Sequence, residues 1–144
     1  MVLQRWQSVW LLFAAVLAIV FCFMPMAIVS SNILEPNCVT SLNPIDVPEV
    51  LYVTIVAAVI QVLAIFMYKN MARQRTSVLV SMLLIVVDII SVACIIEWWD
   101  GGEGFHLDWM GSIFLLLGSL AFSALAYRGI KHDEKLLKAA DRLR

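Results

Sequence analysis

Two of the five polar stretches in this 144-residue chain contain no lysine and no arginine. Four long apolar runs separate the five. The second stretch holds only the acids Glu35, Asp46 and Glu49, and the fourth only Glu97, Asp100, Glu103 and Asp108. All ten basic residues fall in the other three: Arg5; then Lys69, Arg73 and Arg75; then Arg128, Lys131, Lys135, Lys138, Arg142 and Arg144. Cytoplasmic loops keep Lys and Arg because positive charge resists translocation. The pattern therefore predicts four membrane spans with both termini in the cytoplasm. Charge is scarce overall, at 15 % of residues against 62 % hydrophobic, where soluble domains average about 25 % and about 45–50 %. With four spans in place, too little chain remains for a soluble domain, and nothing suggests a nucleic-acid surface.

Chemistry-bearing motifs are also absent. The three cysteines are an odd number without repeated spacing, so no disulfide framework is expected. A bridge from Cys38 to Cys94 is geometrically conceivable, and Cys22 lies inside the first span. No Cys/His spacing resembles a metal site. His106 and His132 fall on opposite sides of the predicted membrane. There is no phosphate-binding loop, dinucleotide fingerprint or H-E-x-x-H. No serine lies near a histidine and an acid at membrane depth. The expectation is a protein that is not an enzyme and takes no cofactor or metal.

What is present organises as one integral membrane domain over 1–144, an all-α bundle of four transmembrane helices. The spans are about 9–29, 50–67, 77–96 and 109–127, followed by a cytoplasmic tail at 128–144 that forms a short helix. About 20 apolar residues suffice to cross a core of about 30 Å. The first run is long for a signal peptide, and no A-x-A pattern stands near Ser30. Pro25 lies within this span and is expected to kink it. The loop at 30–49 carries Asn32, Pro36, Asn37, Asn43, Pro44 and Pro48, which favour turns and leave room for a short strand. All five Trp and all three Tyr sit at the predicted interfaces, where amphipathic rings suit the headgroup region. The tail places Ile130, Leu136, Leu137, Ala140 and Leu143 among basic residues, with Glu134 and Lys138 at i, i+4 spacing. Such a helix can lie on an anionic membrane face or extend the fourth span.

Asp88 is the one ionisable side chain near the middle of a span apart from the cysteines. A charged Asp there costs about 2.5–3.5 kcal/mol on insertion scales, and intramembrane acids often mark ion or proton paths. Protonation or hydrogen bonds from neighbouring helices avoid the cost, and no basic residue in any span is placed to pair with it. Ser81, Asp88 and Ser91 are read as sharing one face of the third span, and Thr54 and Gln61 one face of the second. Gln61 is expected to face Asp88 across the bundle. On the fourth span Gly111 and Gly118, and Ser112 and Ser119, repeat at seven residues. Small residues on one face let helices approach closely, and Ala14, Ala15 and Ala18 make a similar patch on the first span. Packing within the bundle is the first reading of these patches, and a homodimer surface is the other.

The two ends of the chain resemble a known family. The start, Met1-Val2-Leu3-Gln4-Arg5-Trp6-Gln7-Ser8, is similar to an opening M-I/V-Q-R-x-Q-S/T, with Leu3 as one extra residue. The finish, Lys131-His132-Asp133-Glu134-Lys135-Leu136 through Asp141-Arg142-Leu143-Arg144, resembles a closing K-D-E-K-L and D-R-L-R. The family is a bacterial domain of unknown function made of small four-helix integral membrane proteins. The resemblance implies an inner-membrane location and four spans, but no reaction and no site at Asp88. The leading expectation is an accessory or scaffold subunit that docks a protein partner through its tail and basic turn. The mixed-sign pattern, with Asp141 and Arg142 as its test residues, suits docking of the tail on the chain's own 69–76 turn or on another protein, since topology alone needs only positive charge. The alternative is a proton- or cation-linked transporter component, a homo-oligomer using Asp88. Membrane lipids are partners on either reading.

Overall fold

The computed structural model describes residues 2–31, 38–68, 70–99, 105–109 and 111–142. Four helices form the body: α1 Val2–Phe23, α2 Pro48–Phe66, α3 Met71–Trp99 and α4 Ile113–Arg142. Each is long and apolar enough to cross a membrane. They pack as a ring in which α1 lies beside α2, α2 beside α3, α3 beside α4, and α4 closes back onto α1. The start of α1 and the end of α4 therefore lie at one end of the bundle, together with the α2–α3 turn.

The opposite end carries a small three-stranded antiparallel sheet in the order β2-β1-β3, built from β1 Ala27–Ser31, β2 Cys38–Leu42 and β3 Phe105–Trp109. Ala27 pairs with both Leu42 and Trp109, and Ser31 with both Cys38 and Phe105. The sheet thus ties the α1–α2 connection to the α3–α4 connection. Val39 and Thr40, like Ile28 and Val29, are β-branched and suit a pleated strand.

Proline sets the first helix boundary. A residue before proline is pushed out of helical geometry, and α1 stops at Phe23, two residues short of Pro25. The expected span 9–29 is corrected accordingly: Pro25 ends the helix instead of kinking it, and residues 27–31 become the central strand. The expected fourth span at 109–127 shifts similarly, because Trp109 closes β3 and the helix starts at Ile113. At Pro48 the ring supports a helix start, since its missing N–H is one that needs no partner at N1. Asn70 accepts a hydrogen bond at 3.3 Å from the backbone N–H of Arg73 and so caps α3. Of the basic connection at 69–76, residues 71–76 accordingly form the first turns of α3. The tail is not a separate helix. α4 runs unbroken for 30 residues, about 45 Å at 1.5 Å per residue, which exceeds a bilayer core of about 30 Å.

Two apolar clusters sit inside the ring. One, toward the sheet, gathers Phe21, Met26, Ala27, Val50, Ile85, Val92 and Leu116. The other, toward the termini, holds Leu11, Ala64, Val78, Ala126 and Ile130. The surface carries large apolar side chains too: Phe23, Phe66 and Phe114 are each more than 70 % exposed. Cys94 is a free thiol, so the Cys38–Cys94 bridge does not form.

Candidate functional site

Six polar side chains of the spans are turned inward. Thr54, Gln61, Ser81, Asp88, Ser119 and Ser123 are all at most 1 % exposed. Their spacing explains why. Thr54 and Gln61, like Ser81 and Asp88, are seven residues apart, about two helical turns, so each pair lies on one helix face. Both faces point into the ring, and a column of polar groups runs along its axis.

The column has two layers. At the first, Thr54 Oγ1 contacts Asp88 Oδ2 and also lies 2.8 Å from the Val50 carbonyl oxygen. At the second, Gln61 reaches diagonally across the ring from α2 to α4. Its amide nitrogen donates to Ser123 Oγ at 3.0 Å and to Ser119 Oγ at 3.4 Å. Ser119 donates to the Ala14 carbonyl of α1 at 2.8 Å, so one polar layer links three helices. Ser81 donates to the Val78 carbonyl at 2.8 Å within its own helix. Among the described residues, two buried acceptors lack a hydrogen-bond donor: Asp88 Oδ1 and Gln61 Oε1.

Three sequence-based assignments change. Gln61 does not pair with Asp88; Thr54 takes that place, because Gln61 lies two turns nearer the termini and is drawn to the α4 hydroxyls. Ser91 does not join Asp88: it points outward, and its hydroxyl donates to the Val87 carbonyl at 2.9 Å. Gly111 is not a packing residue, since it stands in the exposed turn before α4, and an added Cβ would meet only Phe114 at 3.8 Å. Gly118 lies against α1 instead, where an added Cβ would come within 3.1 Å of Leu17 Cδ1. Ser119 reaches the backbone of buried Ala14 on α1, and Ala126 lies in one cluster with Leu11 of the same helix. The side chains of Asp141 and Arg142 lie outside the described ones.

A second polar assembly lies at the end that holds the termini. Gln7 donates to Asp133 Oδ2, tying α1 to α4. Gly129 makes room for it, because a Cβ there would fall 2.9 Å from Gln7 Cγ. Arg75 and Lys138 each bind Glu134 at 2.8 Å. Hydrogen bonding from Lys138, with the Arg75 charge, holds the Glu134 carboxyl below the usual range. The Glu134–Lys138 spacing is readable in the sequence, and the Arg75–Glu134 pair joins the tail to the 69–76 turn, one of the two dockings expected of the mixed-sign tail; the Gln7 contact carries no such signal. Gln7 and Gly129 lie more than 100 residues apart, and only the closing of α1 onto α4 brings them together. The two end segments that carry the family resemblance thus touch each other.

An apolar groove of about 610 Å³ opens between α1 and α2, lined by Ile19, Cys22, Ile55, Ala58 and Leu63 among others. Among the described residues, no three His, Cys, Asp or Glu side chains are grouped to hold a metal ion.

Four apolar helices with polar groups inside and bare hydrophobic surface outside define a small multi-pass membrane protein. The chain belongs to the family described as a domain of unknown function, DUF4293, whose model matches residues 3–143. No curated protein and no solved structure matches it.

Proposed function

We propose that this protein is a non-enzymatic accessory or scaffold subunit of the bacterial inner membrane, with both termini in the cytoplasm and a docking surface on the last turns of α4. The observation that carries this reading is the exposure of that helix end. From Lys135 to Ala140 every residue is exposed, including Leu136 at 55 % and Leu137 at 54 %. At membrane depth an exposed leucine meets lipid and needs no further partner. Here the neighbours are Lys131, Lys135 and Lys138, and the setting is water. Asp133 and Glu134 are already engaged by Gln7 and by Arg75 and Lys138. Leu136 and Leu137, with Lys131 and Lys135, remain to receive a partner. A photo-crosslinking residue in place of Leu137, in membranes of the native host, tests this. The expected product is one defined protein adduct, lost when Leu136 is replaced by Asp. Adducts to lipid alone would reject the reading.

Asp88 favours a second reading, a proton- or cation-linked component that self-associates. It is an acid buried to 1 % exposure with no base in the buried set among the described residues, and intramembrane acids of this kind often lie on ion paths. Flux into vesicles holding the purified protein, compared with Asp88→Asn, decides. Loss of flux with normal folding supports transport, and equal behaviour rejects it.

A further inference from the structure

The bundle interior has more hydrogen-bond contacts than its side-chain hydroxyls can serve as donors. Ser81, Ser119 and Ser123 each donate at 2.8 Å to a backbone carbonyl, of Val78, Ala14 and Ser119 respectively. The Gln61 amide hydrogens go to Ser119 and Ser123. Thr54 is different, because its one oxygen makes two contacts, with the Val50 carbonyl at 2.8 Å and with Asp88 Oδ2. A hydroxyl owns a single hydrogen. If it goes to the Val50 carbonyl, the contact with Asp88 needs a hydrogen from the other side, and a carboxylic acid supplies one.

We infer that Asp88 is a proton-binding site: it is held as a neutral acid that donates from Oδ2 to Thr54 Oγ1, while Thr54 donates to the carbonyl of Val50. The surroundings agree. The buried set among the described residues contains no Lys, Arg, His or other carboxylate to balance a charge on Asp88. The nearby thiol of Cys22 is committed to the Ala18 carbonyl of its own helix at 3.5 Å. Asp88 Oδ1 has no donor at all. An ionised carboxylate would spread charge onto that oxygen, and a buried unpaired charge is far costlier than a buried carbonyl-type oxygen. Losing the proton would force the Thr54 hydroxyl to turn from Val50 to the carboxylate. Proton occupancy is thereby coupled to the first turns of α2, beside Pro48 and the sheet. This inference does not depend on the docking surface of α4.

The test is infrared difference spectroscopy on the full chain in lipid nanodiscs at neutral pH, with ¹³C-labelled aspartate to mark the bands. The expected spectrum of wild type minus Asp88→Asn contains the C=O band of a protonated carboxyl, unchanged between sodium and sodium-free buffer. In Thr54→Val the band persists and shifts, because the acid loses its acceptor. Where Asp88→Asn fails to fold, wild type minus Thr54→Val decides in the same way. A difference confined to carboxylate stretches overturns the inference. So does a protonated band that appears only when sodium is removed, since a bound cation would then hold the site.

Discussion

Leu83 in the middle of α3 and Leu136 near the end of α4 are almost equally exposed, at 58 % and 55 %. Their surroundings make opposite demands. Around Leu83 the polar groups are inside the ring and the apolar ones outside, as lipid requires. Around Leu136 the outward charges are lysines, and on the proposed reading this end of α4 stands in water, where exposure of a leucine is unfavourable unless something covers it. On that reading, equal exposure means a satisfied surface in one region and an incomplete one in the other.

The sharpest way to break this comparison is to place the same charge at both positions. Leu83→Asp is expected to lower insertion or bundle stability by about 3 kcal/mol, whereas Leu136→Asp should stay within about 0.5 kcal/mol, both read as folded yield and unfolding midpoint in mild detergent. Equal losses would mean that both leucines see the same solvent. A smaller effect is expected where α1 closes onto α4. Gly129→Ala pushes a methyl against Gln7, and overpacking of this kind costs about 1–3 kcal/mol, offset in part by up to about 1 kcal/mol of helix propensity. A Gln7→Ala, Gly129→Ala double variant should recover part of the loss, and a lack of coupling in the cycle would place the cost elsewhere.

Inside the ring, Ser119→Ala removes the tie to Ala14 and one acceptor of Gln61. Interhelical polar contacts in membranes average about 0.6 kcal/mol, so a small drop in stability is expected and a drop above about 2 kcal/mol would show a larger role. The mildest effect belongs to Glu134. Its carboxyl is held below the usual range by Lys138 and Arg75, so the stabilisation is present at neutral pH and is lost as pH falls through the folded-state value. Amide exchange in the last turns of α4 should quicken on acidification, and Arg75→Ala should weaken that dependence. A pH dependence identical in both proteins would contradict the pairing.

Much of this architecture was legible in the chain. Apolar runs mark helices that must span, and seven-residue spacing identified the faces of Thr54, Gln61, Ser81 and Asp88 that turn inward. Ser91 was misjudged because a 60° offset from Asp88 is enough to carry a side chain out of the ring. The sheet was hidden because the apolar run through 27–29 reads equally as helix or strand, and Pro25 decided between them. The partner of Asp88 depends on how α2 and α3 align along their axes, which spacing within one helix does not define. The Gln7–Gly129–Asp133 contact needs the closure of the ring, a long-range fact with no local signature.

The measurement that bears most directly on the account is sidedness. Glu49 and Ala140 are both exposed, one beside the sheet and one on the end of α4. In a chain whose Cys22, Cys38 and Cys94 are replaced by Ser, single cysteines at these two positions are treated with a membrane-impermeant maleimide, in intact cells with a permeable outer envelope and after lysis of the inner membrane. Labelling of Glu49→Cys in intact cells, with Ala140→Cys labelled only after lysis, is the predicted result. Labelling of both positions from the same side, or the reverse pattern, would contradict a bundle that spans the membrane with its basic end in the cytoplasm.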